Sequence, residues 1–579
     1  MPPKAPQQSK PNLFGLLKEY KGMVFLLVLF TVLANGLNLF VPKIIASAID
    51  GFTKHNLVIS NLLLEFGIVA GCIFLATYAQ SIVQTFAAER VARDLRKKTA
   101  DKISHQEYAY IDAVGPSKLL TNLTSDADAV KNFVAQAVAQ VVSSIVLIFG
   151  ASTLLIMTNW RLALLVLAVV PIIGLAFFFI FSKVRKLFVR SQMAIDWLNK
   201  VINESILGSA LIRLVNAQQY EYQKFLKANI EARNISLGVL NLFASLIPII
   251  SFCTNIATLG IVLLGGHFVI AGSMSLGSFT AFNSYLAILI FPIIILGFMS
   301  TVIAQASASY GRILAVLDAP DKKSGGTITA TLLGDVALRN ITLTYGDKDT
   351  LRDISLEAKP GTRTAIIGPT AAGKTLLLSV ITGLILPTKG DILYDDKDIR
   401  EYDKARLHAQ VGLVFQDSIM FNLTLRENVA FGSGVTEVNL KKAIDTAELG
   451  DFIDALPDGL DTVVSERGTS LSGGQKQRVM LARALALDPK ILLLDDFTAR
   501  VDTRTEKKIL ENVRVNYPSL TLISVTQKIA SVEEYDQIIV LMEGEIIARG
   551  THKELLATSP EYVQMYNSQE STEHYELQA

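Results

Sequence analysis

Eight consecutive residues, Gly368-Pro369-Thr370-Ala371-Ala372-Gly373-Lys374-Thr375, fit the pattern G-x-x-x-x-G-K-[ST]. An apolar run, residues 364–367, precedes them and three leucines from Leu376 follow, so the octet reads as a loop between a strand and a helix. Backbone N–H groups in such a loop, together with the helix N-terminus, attract phosphate oxygens. Lys374 is placed to reach β and γ phosphates, Thr375 to ligate Mg2+ through its hydroxyl, and Leu376 closes the candidate phosphate-contacting set. Ala371 and Ala372 stand where many such loops carry glycine. A positive φ at either would cost roughly 1–2 kcal/mol, so an ordinary loop is expected.

Downstream, "ILLLDD" (residues 491–496) is an apolar run ending in two carboxylates, the pattern of a parallel strand buried on both faces. Asp495 is the candidate holder of the Mg2+ hydration shell. Paired aspartates also occur in surface turns, but the phosphate loop upstream argues against that reading. Between the two lies "LSGGQ", in which Ser472, Gly473, Gly474 and Gln475 open another helix and offer a second phosphate-binding N-terminus. One fold cannot easily aim both helix ends at one nucleotide, so this end is expected to serve ATP on another domain.

These groups need a scaffold, and the chain supplies two. Of its 579 residues 50% are hydrophobic, and the apolar mass is confined to the first half. Six stretches there, near 23–49, 60–84, 134–157, 161–182, 238–264 and 277–303, are long enough to cross an apolar layer that takes about 20 helical residues. The net charge of +1 exerts no global pull on nucleic acid, and none is expected as a partner. Cys72 and Cys253 fall in apolar runs and read as small buried hydrophobes rather than a disulfide or metal pair. The polar start, "MPPKAPQQSKPN", lacks the apolar core of a signal peptide.

Basic residues cluster in the links after the second and fourth spans, "ERVARDLRKK" and "KVRKLFVR". The positive-inside bias places those links, and with them both termini, in the cytosol. Each link is long enough for two helical arms reaching about 35 Å below the membrane. Polar elbows are expected near "GPSKLLTNLTSD" and "NESILGSALIR". The stretch "SKPNLFGLLKEYK" reads either as an amphipathic elbow helix or as an extension of the first span. A breaker-rich linker is expected over 319–335, separating a transmembrane domain (1–318) from an α/β nucleotide-binding domain (336–565), with a flexible tail over 566–579.

Taken together, these segments resemble the ATP-binding cassette, and the whole chain is similar to a half-transporter of the ABC exporter family. The octet matches the family's Walker A, "LSGGQ" its signature and "ILLLDD" its Walker B. Tyr345 in "LTYGDKDTL" matches the adenine-stacking aromatic. Gln416 in "VFQDSIMF" matches the Q-loop glutamine, which contacts the metal and nucleotide. Glu466 matches the acidic position of the X-loop, and "ARVD" ends the D-loop at Asp502. The resemblance implies ATP and Mg2+ as cofactors and a head-to-tail dimer of two halves sandwiching two nucleotides. The elbows would be coupling helices docking on the cassettes.

At two positions the sequence departs from the family pattern. The glutamate that polarises the attacking water is replaced by Asp496, one methylene shorter, and the switch histidine after the next strand by Gln527. A misplacement of about 1 Å costs on the order of 10²-fold in rate. Gln527 can hydrogen-bond a γ-phosphate but cannot become cationic. These two replacements resemble the degenerate site of heterodimeric multidrug exporters. The implied partner is a second half-transporter with an intact Walker B glutamate and switch histidine. The implied cargo is a hydrophobic small molecule moved across a prokaryotic inner membrane, with membrane lipid as a further partner. A homodimeric lipid or drug exporter and an ATP-gated regulatory or channel protein are the alternatives. Glu65 and His267 are placed near the outer ends of spans, as interfacial residues facing water or as ligands for a cation.

Overall fold

The computed structural model describes residues 12–320, 325–345, 348–432, 434–465, 468 and 470–576. It divides into two compact units. One holds residues 321–579 with the short segment 106–113, and the other holds most of the first 320 residues.

The second of these units is all helical. Among the described residues six helices are long and apolar enough to cross a membrane: Gly15–Thr53, Ile59–Ser104, Pro116–Thr158, Trp160–Leu207, Gln218–Ile270 and Leu276–Leu317. Few of their apolar side chains find cover inside the protein. Phe25, Phe74, Phe149, Phe178 and Phe291 are all largely exposed. Surface of that composition is stable only in lipid, and the chain is an integral membrane protein. Spans 1 and 2 pack along each other, as do spans 4 and 5, and span 6 packs on spans 1 and 3. Leu155, Leu162, Ile173, Ile261, Phe282 and Leu289 fill the space between them. Prolines 42, 171, 248 and 292 lie inside these helices, as bundle helices tolerate.

The helix of span 2 has 46 residues, about 69 Å at 1.5 Å per residue, more than twice the apolar thickness of a bilayer. Its far half therefore projects beyond the apolar layer as an arm. The arm ends at Ser104, and the short helix beyond it is Tyr108–Val114, followed by Gly115 at φ 88°. The elbow thus lies ahead of "GPSKLLTNLTSD", which is instead the root of the returning arm. Pro116 takes the first helical turn, where a missing N–H costs nothing, so a residue that reads as a breaker starts a helix here. The second elbow falls where the sequence places it, as a short helix Ser209–Leu214 between Leu207 and Gln218.

Near the N-terminus, Leu13, Leu16, Leu17 and Tyr20 are buried against Ala87, Val91, Leu95, Val130 and Ile313. That apolar stripe is covered by the protein's own arms, and a 3-10 turn at Lys18–Tyr20 separates it from span 1.

The other unit is an α/β cassette with two sheets. In the antiparallel sheet the order is β2-β1-β4-β5, with β1 Val336–Tyr345, β2 Lys348–Ala358, β4 Lys389–Tyr394 and β5 Lys397–Asp398. The larger sheet runs β10-β9-β3-β8-β7-β6, with β3 Arg363–Ile367, β6 Val411–Val414, β7 Ile491–Asp495, β8 Thr521–Thr526, β9 Gln537–Met542 and β10 Glu545–Gly550. All its pairings are parallel except β9 with β10. Every residue of β7 and β8 is buried, as a sheet covered on both faces requires.

Residues 325–335, read from sequence as linker, are tied to this unit. Leu333, Gly334 and Asp335 all donate backbone N–H groups to the Asp395 carboxylate, at 2.7, 3.1 and 3.0 Å, and Leu332 donates to Gln410. One acceptor satisfying three donors lets a breaker-rich segment lie fixed on a surface. The C-terminal helix runs Pro560–Glu576, through the polar stretch expected to be a flexible tail.

Candidate nucleotide site

Strand register assembles the site. Ile367 at the end of β3 pairs with Thr526 at the end of β8, Val525 pairs with Asp495 at the end of β7, and Leu494 pairs with Val414 at the end of β6. The residues that follow these ends are Gly368, Gln527, Asp496 and Phe415-Gln416. Four segments far apart in sequence therefore emerge along one edge, the carboxyl edge at which parallel sheets bind ligands.

The phosphate loop leaves β3 through Gly368, where a Cβ would stand 2.0 Å from the carbonyl oxygen of Leu541, so only glycine fits. Gly373 is left-handed at φ 98° and caps the helix Lys374–Ile381. Ala371 also lies in the left-handed region, at φ 67°. The loop has its expected course but holds this alanine under the strain that glycine would have avoided. Ala372 is buried and its carbonyl accepts from Gly544 N–H.

Lys374 turns back over the loop, its Nζ donating to the carbonyls of Gly368 and Pro369, each at 2.8 Å. Burial lowers the pKa of this ammonium, and the carboxylates of Asp496 and Asp495 oppose that shift. The hydroxyl of Thr375 donates to Asp495 at 3.1 Å. Burial raises the Asp495 pKa, while the Thr375 bond holds it down. A hydroxyl and a carboxylate side by side, with an ammonium near both, form the hard-oxygen donor set that suits Mg2+ beside a polyphosphate. Thr375 and Asp495 would hold Mg2+ there, and the ion bound with ATP would supply neutralisation of phosphate charge.

Asp496 follows β7 at φ 45°, with its N–H bonded to Val525 O at 2.9 Å. Aspartate tolerates that conformation better than most residues. Gln527 is exposed, just past β8. The side chain of Gln416 is also exposed and makes no hydrogen bond to Thr375 or Asp495 among the described residues; the backbone carbonyl of Gln416 accepts from Gln477 Nε2 at 3.1 Å. Tyr345 ends β1, paired with Lys348, and its side chain lies outside what the structure describes, as does Glu466.

The helix Gly473–Leu485 begins with a capping box, the Ser472 hydroxyl accepting from Gln475 N–H and the Gln475 side chain from Ser472 N–H. Gly474 sits so close to the Arg500 carbonyl that a Cβ would be 2.8 Å from it. Among the described residues no hydrogen bond or ion pair joins residues 472–475 to residues 368–375. Asp502 caps the next helix, Thr503–Asn516, accepting from Thr505 N–H at 2.9 Å.

Sequence reasoning missed Arg483 and Gln569. Arg483 donates to the carbonyls of Ile419 and Asn428, tying the signature helix to the Q-loop segment, and burial pushes its pKa down to about 10. An arginine one turn from a helix end carries no signal of this in sequence.

A six-span membrane unit joined to a phosphate-binding cassette defines a half of an ATP-driven membrane transporter. Comparison with known proteins agrees. The ABC transporter transmembrane region matches residues 24–293 and the ABC transporter family model residues 351–499. An uncharacterized ABC transporter ATP-binding protein of Bacillus subtilis, YfiB, is 31% identical over 96% of this chain and 98% of its own length. An ATP-dependent lipid A-core flippase of Syntrophus aciditrophicus is 30% identical over 88% of this chain and 84% of its own. The solved structure of a bacterial Atm1-family ABC exporter with ATP bound superposes with a TM-score of 0.80 at 23% identity, covering 94% of this chain and 99% of that one. The chain belongs to the ABC transporter family, and its cassette binds ATP with Mg2+.

Proposed function

We propose that this chain is one subunit of a heterodimeric exporter of hydrophobic or amphipathic compounds, and that its own nucleotide site holds ATP while hydrolysing it slowly. The observation that carries the reading is the pairing of an intact binding loop with replaced chemistry. Gly368 to Leu376 and Asp495 keep the binding parts, while Asp496 and Gln527 stand where a longer carboxylate and a titratable ring would act. Tyr345 would stack on adenine, and Gln416 would join Thr375 and Asp495 at the metal. Ser472, Gly473, Gly474 and Gln475 would complete the partner's site, where hydrolysis resets the cycle.

Two exposed apolar surfaces support assembly with a second half. At the second elbow Ile206, Leu207, Leu211 and Leu214 are 66%, 78%, 62% and 84% exposed. On the cassette, Phe415, Ile419, Phe421 and Phe431 are exposed beside the Q-loop. Apolar groups at the tip of a cytosolic arm have no lipid to cover them, and a partner cassette of this kind would. The lipid-directed name of one relative and the cluster Phe177, Phe181, Phe243 and Phe298 among the spans fit an apolar or amphipathic cargo. The basic links after the second and fourth spans support a reading with both termini in the cytosol of a prokaryotic cell, at its inner membrane.

The test is ATP turnover by the co-purified pair. Gly474→Glu abolishes it, whereas Asp496→Asn leaves it little changed. Equal, severe loss from both would end the asymmetric reading. Brisk turnover by this chain expressed alone would favour the homodimer.

A further inference from the structure

Gln569 lies on the C-terminal helix, on one stripe with Tyr562, Met565 and Tyr566, at helical positions i, i+3, i+4 and i+7. The first three anchor the helix. Tyr562 is fully buried and its hydroxyl meets His552 Nδ1 at 2.6 Å, and Met565 and Tyr566 pack on the cassette core beside it. The stripe therefore delivers Gln569 to the loop that follows β8. There its Oε1 accepts from Ile529 N–H at 2.9 Å, and its Nε2 donates to the Gln527 carbonyl at 2.7 Å.

We infer that Gln569 is a positioning residue for the switch loop, a two-point amide clamp on the backbone either side of Lys528. Both amide atoms of the side chain are used, one as acceptor and one as donor, so no other side chain of this length substitutes for it. The same loop is held from a second side. Lys528 lies 3.6 Å from the carboxylate of Glu506, which is buried in the first turn of the helix capped by Asp502. The loop carrying Gln527 thus joins the C-terminal helix to the helix that follows the D-loop. A displacement of the C-terminal helix moves the carbonyl of Gln527 directly. The consequence for nucleotide rests on reading Gln527 as the γ-phosphate contact of this chain's site; the clamp itself does not.

The experiment uses the full-length protein in lipid nanodiscs and hydrogen exchange of the segment 527–532. Gln569→Ala raises exchange there about five-fold, the effect of a net loss of about one neutral hydrogen bond, while exchange in β8 is unchanged and the melting temperature falls by only about 1–4 °C. Gln569→Glu keeps the acceptor for Ile529 and loses the donor, so it gives a smaller increase confined to the same segment. In Gln569→Ala, bound MgATP also dissociates several-fold faster. Unchanged exchange, or an increase spread evenly over the cassette, overturns the clamp. Faster exchange with unchanged MgATP release overturns its functional role. A failure of the γ-phosphate reading is seen separately, as a Gln527→Ala protein that releases MgATP at the wild-type rate.

Discussion

The hydroxyl of Thr375 donates to the carboxylate of Asp495 across 3.1 Å, joining the first turn of the phosphate-loop helix to the end of β7. These residues are 120 positions apart, and Asp495 is buried with its pKa raised by that burial. The bond favours the ionised carboxylate and so opposes the upward shift that burial imposes. Thr375→Val keeps the shape and removes the donor. Hydrogen bonds to charged groups contribute about 1.5–3 kcal/mol, so affinity for MgATP falls at least ten-fold. Binding of ATP in EDTA changes far less. Equal losses with and without Mg2+ would show that the threonine acts on the loop rather than on the metal.

Gly473 and Gly474 differ in what surrounds them. A Cβ at Gly473 meets the flexible Arg500 side chain at 3.2 Å, and one at Gly474 meets the Arg500 backbone carbonyl at 2.8 Å. Gly473→Ala is therefore tolerated within a few-fold in the ATPase rate of the assembled transporter, and Gly474→Ala is not. A reversed order would refute the geometry.

Ala371 pays for its left-handed backbone, at φ 67°. Ala371→Gly relieves about 1–2 kcal/mol of strain and loses about half of that again to unfolded-chain entropy. A net gain near 0.5–1 kcal/mol raises the cassette's melting temperature by about 1–4 °C, read by calorimetry. A lower melting temperature would contradict the strain.

Glu506 is buried and its pKa is raised by that burial, with Lys528 opposing. A carboxyl whose folded pKa lies above its unfolded value takes up a proton on folding. Its contribution is fully present below the unfolded pKa and is lost as pH rises through the folded one. Glu506→Gln removes that dependence, so the variant loses less stability than wild type as pH rises above the ordinary carboxyl value of 4.5. Parallel stability–pH curves for the two proteins would rule this out.

Arg312 reaches Asp126 through both ends of its fork, with Nε at 3.0 Å, and Asp126 is 2% exposed. Arg312→Met strands a buried carboxylate and costs about 3–5 kcal/mol, whereas Arg312→Met with Asp126→Leu costs far less. Denaturation of the four proteins of that cycle measures the difference, and additive losses would argue that the pair is not coupled.

Several features are written in the sequence because they are local. Six apolar runs report six spans, since a lipid-covered helix must be apolar over its whole crossing. The octet before Leu376 reports a phosphate loop, since glycine alone fits beside Leu541 and at the left-handed cap. The identities of Asp496 and Gln527, on which the proposed slow hydrolysis rests, are legible without coordinates, because each stands at a fixed distance from a motif. Only the tertiary structure decided which distant pieces meet. Parallel register brings Gly368, Asp495, Asp496 and Gln527 to one edge, and register depends on pairing between strands distant in sequence, Arg363 of β3 with Leu522 of β8 and Ile491 of β7 with Thr521 of β8. It also converted the residues 325–335 into a bound segment through Asp395, moved the first elbow ahead of Gly115, and placed Gln569 on the switch loop. A backbone N–H records no preference for its acceptor in the sequence, so contacts of that kind exist only once the chain has folded.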